Sequence, residues 1–297
     1  MNKRVNKEVG SQSLSYDLGK KYRAQRTANL CFKYVVLTFI SIIYMVPLLW
    51  MLSTSLKSRA DIFAWPPVLI PAVPKWENYR IAFESYPLLR FMGNSTYLVI
   101  INIIGELISV PLIAYGFARL RFPGRNFFFM LVLAMMMVPS QIKLIPLYTM
   151  FSRLGLLDTY VPLFAHSFFG EAFFIFLFVQ YMRTMPKDLD DAAKIDGLGS
   201  FGILYRILLP LCTPVLTLIV IYTFLWTWNE FLNPIIYLST FEKFTIQVGL
   251  NMFKGRFDVQ WNLFMAATLV SVFPVLSIYF FVQKKLIGGI ASLGVKG

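Results

Sequence analysis

The chain has 297 residues, of which 57% are hydrophobic and 17% aromatic but only 14% charged, and its mean hydropathy is +0.63. A soluble domain is nearer a quarter charged, so this composition excludes a protein whose whole surface faces water. The formal net charge of +13 invites a nucleic-acid partner, but the basic residues lie between apolar runs rather than on one basic and aromatic surface, and no nucleic acid is expected.

Residues 1–33 are polar and basic and read as a cytoplasmic N-terminal segment. The apolar run that follows is too long for the core of a cleavable signal, so it is expected to stay as an anchor. Six apolar segments then follow, at 34–56, 95–118, 126–148, 160–182, 207–228 and 263–283. Each reaches the length of about 20 residues that a spanning helix needs. Each also carries proline, at Pro47, Pro111, Pro139, Pro162, Pro210 and Pro274, which spanning helices tolerate when neighbours satisfy the freed backbone groups. A membrane barrel would instead show short alternating segments. Lys and Arg are twice as frequent in the connecting segments on the N-terminal side of the membrane as on the other. The positive-inside bias therefore places both termini in the cytoplasm. The expectation is an all-α integral membrane protein of six transmembrane helices spanning 34–283, with a cytoplasmic tail over 284–297. Two outer stretches, 57–94 and 229–262, are rich in proline, aromatics or mixed charge and read as short interfacial helices or a cap.

Chemistry-bearing residues are sparse. Cys31 and Cys212 form no CxxC or Cys/His pattern, and the single histidine, His166, excludes a multi-histidine metal centre. The sequence lacks GxxxxGK[ST], so it offers no phosphate-cradling loop of that kind. No cofactor is expected on this chain.

The inner loop over 185–206 is the most informative stretch. Met185-Pro186-Lys187-Asp188-Leu189-Asp190-Asp191-Ala192-Ala193-Lys194-Ile195-Asp196-Gly197 opens on proline and acids, which suit a helix start and the positive end of its dipole. Leu189, Ala192 and Ala193 share a face by their spacing, and Gly197 permits a sharp exit. Physics alone reads this equally as a docking helix or a solvated connector.

The same stretch resembles the EAA loop of ABC-importer permeases, with Asp191-Ala192-Ala193, three residues, Gly197, and later Ile207-Leu208-Leu209-Pro210. Asp191 stands where that family usually has glutamate. Other stretches resemble the smaller permease of the maltose-type carbohydrate-uptake branch: Asn94-Ser95, the run from Phe117 to Arg125, Trp228-Asn229, Val248-Gly249-Leu250, Met265-Ala266-Ala267 and the terminal Gly294-Val295-Lys296-Gly297. The resemblance covers residue 34 to the C-terminus. It implies a type I ABC importer permease fold and a non-catalytic subunit that couples to ATPases through Leu189, Asp191, Ala192, Ala193, Ile195, Asp196 and Gly197. It also implies a tail, Gly294, Val295, Lys296 and Gly297, that contacts them. The implied partners are a homologous second permease, two ATPase subunits that hold ATP and magnesium, an extracytoplasmic solute-binding protein, a saccharide cargo and the lipid bilayer of a bacterial inner membrane.

Ionisable groups inside spans are costly and face either a partner or a cavity. Glu106, Lys143, His166 and Glu171 are therefore read as lining a translocation path or as pairing helices together. Trp228, Asn229 and the aromatic Trp226 could meet a sugar ring, although aromatics in spans more often serve the core or the interface. Lys143, Arg153, Lys254 and Arg256 would suit an acidic saccharide. A secondary transporter would show an internal repeat and a membrane-embedded enzyme a convergent catalytic set. The sequence shows neither.

Overall fold

The computed structural model describes residues 2–255 and 259–294, with side chains described from 25 to 283 apart from 28, 256–258 and 282. Among the described residues the secondary structure is helical, without strands. Helix α1 (Asn2–Ser55) includes the polar N-terminal segment in one continuous helix with the first apolar run. Two short helices follow, α2 (Arg59–Ile62) and α3 (Glu77–Ser85), and then the long α4 (Leu88–Arg119).

The third apolar run is not one straight span. It forms α5 (Arg125–Met136) and α6 (Ser140–Arg153), which meet at 99°. Pro139 sits at the corner, where it withholds a backbone donor and disfavours helix at the residue before it. The fourth run is α7 (Val161–Phe164), a 3-10 turn over Ala165–Phe169, a break at Gly170, and α8 (Ala172–Arg183). After α9 (Asp188–Ile195) the fifth run bends by 79° at Cys212, between α10 (Ser200–Gly202), the π-helical turn Ile203–Leu208 and α11 (Leu209–Leu211) on one side and α12 (Thr213–Asn229) on the other. Short α13 (Leu232–Tyr237), a 3-10 turn at Phe241–Lys243 and α14 (Ile246–Met252) lead to α15 (Trp261–Gly294). Four stretches, Gln25–Ser55, Leu88–Arg119, Val161–Arg183 with its break at Gly170, and Trp261–Phe281, are thus long and apolar enough to cross a membrane, and six spans result if each bent pair is one.

Helix α4 organises the rest because it packs against α8, α12 and the 3-10 turn. Its buried polar residues lie three or four apart on one face and answer the broken fourth run. Asn102 donates to the carbonyls of Leu98 and Leu163, at 2.8 and 3.3 Å. Ser167 donates to Asn102, Ser109 donates to the Ser167 carbonyl at 2.7 Å, and Glu106 accepts the Glu171 backbone N–H at 3.2 Å. Backbone groups freed by the break thereby find partners where lipid offers none. Gly105 completes the joint, since a Cβ there would lie 2.9 Å from Ser167 Cβ.

Three apolar clusters fill the interior. One joins α4, α8, Ala193 of α9, the π-helical turn and α12. A second joins α3, α4, α12, α14 and α15, and a smaller third joins α4, α6, α7 and α13. Helix α1 leaves much of its apolar surface open, including Phe32, Tyr34 and Tyr44.

Candidate functional site

Two places deserve the name. The first is α9, whose first turn carries Asp188, Asp190 and Asp191 and whose last carries Lys194, matching the helix dipole at both ends. It ends in a Schellman motif: Leu198 N–H donates to the Ala193 carbonyl (2.9 Å) and Gly197 N–H to that of Lys194 (3.0 Å). Gly197 adopts φ +82°, a left-handed conformation that glycine takes without strain.

Packing divides this helix differently from the spacing argument. Leu189, Asp191, Ala192, Ile195, Asp196 and Gly197 are exposed, Ile195 to 87%. Ala193 is 2% exposed and packs into this chain's own core. The expectation that Ala193 shares a free face with Leu189 and Ala192 is therefore corrected, because its position on the helix is turned toward the π-helical turn. Asp190, which sequence reasoning left aside, is also buried. It lies 3.2 Å from Arg119 at the end of α4, both side chains being under a tenth exposed. Arg119 also donates through Nη2 to the Met185 carbonyl at 3.2 Å. The signal that could have found Asp190 is its three-residue distance from Ala193, which puts it on the inward face with that residue.

The second place is a cavity of about 490 Å³ walled by α6, the broken fourth run, α12 and α13. Lys143, His166 and Glu171 line it together with Trp226, Glu230 and Asn233. Sequence reasoning missed Glu230, whose Oε1 accepts the Leu232 and Asn233 backbone N–H groups at 2.8 and 3.2 Å and so satisfies the first two free donors of α13. Among the described residues, no hydrogen bond or ion pair engages the side chains of Lys143, His166 or Glu171. Trp226 stacks on Phe174 at 5.1 Å between centroids and leaves about half its surface open.

The remaining candidates fall elsewhere. Glu106 is 2% exposed and holds the Glu171 backbone from behind the cavity wall. Trp228 is 2% exposed, stacks on Phe224 at 5.6 Å and donates to the Ser271 carbonyl at 3.2 Å. It borders a separate cavity of about 430 Å³, with Asn229 and Lys254, so Trp228 and Asn229 do not join Lys143, His166 and Glu171 in one site. Trp228 serves the core. Gly294 ends α15, while Arg256, Val295, Lys296 and Gly297 lie outside the described residues. No group of three or more metal-ligating side chains occurs among the described residues.

Broken apolar helices around a cavity lined by ionisable groups fit a membrane transport component. Residues 108–290 match the family model for the binding-protein-dependent transport system inner membrane component, and the chain belongs to that family. Among curated relatives, it is 34% identical to the probable ABC transporter permease protein YurM of Bacillus subtilis, over 89% of this chain and 87% of that one. It is 33% identical to the arabinooligosaccharides transport system permease protein AraQ of the same organism, over 87% and 92%. The galactooligosaccharides transport system permease protein GanQ of B. subtilis is 30% identical over 93% and 98%. A crystal structure of a bacterial ABC transporter involved in the import of the acidic polysaccharide alginate shares the fold, with a TM-score of 0.75 over 85% of this chain and 94% of that chain at 24% identity.

Proposed function

We propose that this chain is half of the translocation pathway of an ATP-driven importer of oligosaccharides, with both termini cytoplasmic. The cavity that gathers Lys143, His166 and Glu171, none of them in a side-chain hydrogen bond or ion pair among the described residues, is the observation that supports this most directly. Ionisable groups are kept open at membrane depth where something passes or docks. Trp226 adds an aromatic face of the kind that sugar rings stack against. The relatives that carry arabino- and galacto-oligosaccharides in their names support the cargo class.

In this reading, Leu189, Asp191, Ala192, Ile195, Asp196 and Gly197 present α9 to an ATPase subunit, and Ala193 fixes α9 to its own chain. Two ATPases bind ATP and magnesium, a homologous permease completes the pathway, and an extracytoplasmic binding protein delivers the cargo. The terminal Gly294, Val295, Lys296 and Gly297 reach toward the ATPases.

The test is the assembly reconstituted in nanodiscs, with ATP hydrolysis measured against a panel of arabino-, galacto- and uronate oligosaccharides and their binding protein. Stimulation by one class names the cargo. Ala192→Arg places a bulky charge on the exposed face and is expected to abolish stimulation without loss of insertion. Normal hydrolysis and transport in that variant would reduce α9 to a connector.

A further inference from the structure

The Arg119–Asp190 pair has no part in the sequence reading of either site, and its surroundings are unusual. Both side chains are almost fully buried, on α4 and α9, which both contribute to the first apolar cluster, through Ala118 and Ala193 among others. The Nε–Oδ2 separation is 3.2 Å, yet neither carboxylate oxygen of Asp190 has an aligned hydrogen bond. Among the described residues, the pair's side-chain hydrogen bond is the one from Arg119 Nη2 to the Met185 carbonyl. Arg119 thus grips both the approach to α9 and its first turn, 66 and 71 positions away in sequence.

A buried charge without hydrogen bonds tolerates separation from its counter-ion poorly, because separation leaves a bare charge among apolar groups. The packing of Ala193, by contrast, is apolar and non-directional, so it permits sliding. About 20 Å back along α4 from Arg119 by the rise per residue, near the middle of that helix, Glu106 holds the backbone of Glu171, which lines the cavity.

We propose that the Arg119–Asp190 pair is the strut that makes α9 and α4 move as one body, so that displacement of α9 reaches the wall of the cavity. Arg119 and Asp190 are positioning residues: Asp190 is enclosed by its own chain, out of reach of a partner docked on the exposed face of α9. This rests on the reading of α9 as the ATPase-docking helix.

The experiment follows the cavity directly and needs no cargo. In the nanodisc assembly this chain carries Cys31→Ala and Ser140→Cys, which leaves Cys212, fully buried, as its one other thiol, and accessible cysteines of the partner subunits are replaced. Maleimide modification at Ser140→Cys, on the cavity wall, is timed without nucleotide and with ATP–vanadate trapped on the ATPases. With the native pair, trapping is expected to change the rate by at least about fivefold, the lower end of ordinary allosteric couplings. In Asp190→Asn, the vanadate still traps nucleotide but the rate no longer responds. The double variant Arg119→Leu with Asp190→Leu, which replaces the pair by apolar packing compatible with folding, is expected to assemble and to lose the response as well; it decides the matter should Asp190→Asn fail to assemble.

A native-sized response in the double variant, or in an assembled Asp190→Asn, overturns the strut. Loss of trapping along with the response also overturns it, since the pair would then serve docking itself. If the native chain shows no nucleotide-dependent change, the ATP-driven reading fails first and the strut with it.

Discussion

Two ion pairs sit at two joints of this molecule and are built in opposite ways. Asp158, in the turn between α6 and α7, pairs with Lys243 at 2.9 Å, each about a third exposed. Its carboxylate also accepts the Ser239 and Thr240 backbone N–H groups, both at 2.9 Å, and the Thr240 hydroxyl at 2.5 Å. Tyr160 closes the joint by donating to the Lys243 carbonyl at 3.1 Å. Asp190 has one cation and no aligned donor. A carboxylate with every lone pair engaged fixes two loops in one arrangement. A carboxylate held by one buried counter-ion ties two elements together at a single point that is costly to separate. The clasp is suited to a rigid plate and the strut to a part that moves.

The largest effect that tests this contrast comes from removing one partner of the buried pair. Asp190→Ala leaves Arg119 charged among apolar groups and is expected to cost about 3–5 kcal/mol, read as a lowered midpoint of denaturant unfolding in mixed micelles. Replacing both partners by leucine should restore most of that stability. A double variant as unstable as the single one would mean that the site needs the charges for folding rather than for transmission.

Gly249 ranks next. A Cβ there would lie 2.2 Å from the ring of Phe91, which is fully buried between α4 and the segment over 241–253. Gly249→Ala should cost about 1–3 kcal/mol by overpacking, and Phe91→Leu in the same chain should relieve part of it. Additive losses in the double variant would show that the strain lies elsewhere.

The clasp gives a smaller and pH-dependent effect. Asp158→Ala removes several hydrogen bonds at a partly exposed site, and about 1–2 kcal/mol is expected. Its backbone adopts φ +56°, a region asparagine tolerates better than alanine, so Asp158→Asn should lose less. The hydrogen bonds from Thr240, and then those from Ser239 and Lys243, hold the carboxyl far below the ordinary carboxylate range. A group depressed in the folded state contributes stability above its unfolded value of about 4, and loses it as pH falls toward the folded value. Protection of the Ser239 and Thr240 amides from hydrogen exchange should therefore be unchanged from pH 7 to about 5 and should fall below about pH 4. Asp158→Asn should flatten that dependence, and a native profile in the variant would assign the titration to another acid.

Much of this architecture was legible in the sequence. Apolar runs of spanning length and the acids of α9 followed by Gly197 mark their elements because each reflects a local requirement: apolar length, dipole and left-handed exit. The bends at Pro139 and Cys212 were not read, since a proline inside an apolar run is equally at home in a straight span when neighbours satisfy the backbone. Lys143, His166 and Glu171 read in the sequence as costly groups that line a path or pair helices, without a signal that they gather in one cavity. What separates them from Trp228 and Asn229 is the turn of α12, which sends Trp226 and Trp228 into different surroundings only two residues apart. The family-like residues prove to be joints: Asn94 donates to the carbonyls of Glu242 and Phe244, and Ser95 accepts from Ile246 N–H. Such pairings join residues about 150 positions apart, a distance at which no local pattern carries information.

The smallest effect on the fold comes from the exposed face of α9 and sharpens the comparison most. Asp191 and Lys194 pair at 2.9 Å on that face, and the hydrogen bond between them lowers the carboxyl and raises the ammonium from their ordinary values. Water screens a pair this open, so its loss leaves the fold as it was. Asp191→Lys should accordingly unfold at the same denaturant midpoint as the native chain. It places a like charge three residues from Lys194 on the face proposed to dock the ATPase, and on that proposal co-purification of the ATPase should drop. An undisturbed fold with a lost partner is the opposite of Asp190→Ala, where the fold itself weakens. If Asp191→Lys instead lowered the unfolding midpoint as far as Asp190→Ala does, the division of α9 into an anchored face and an offered face would fail.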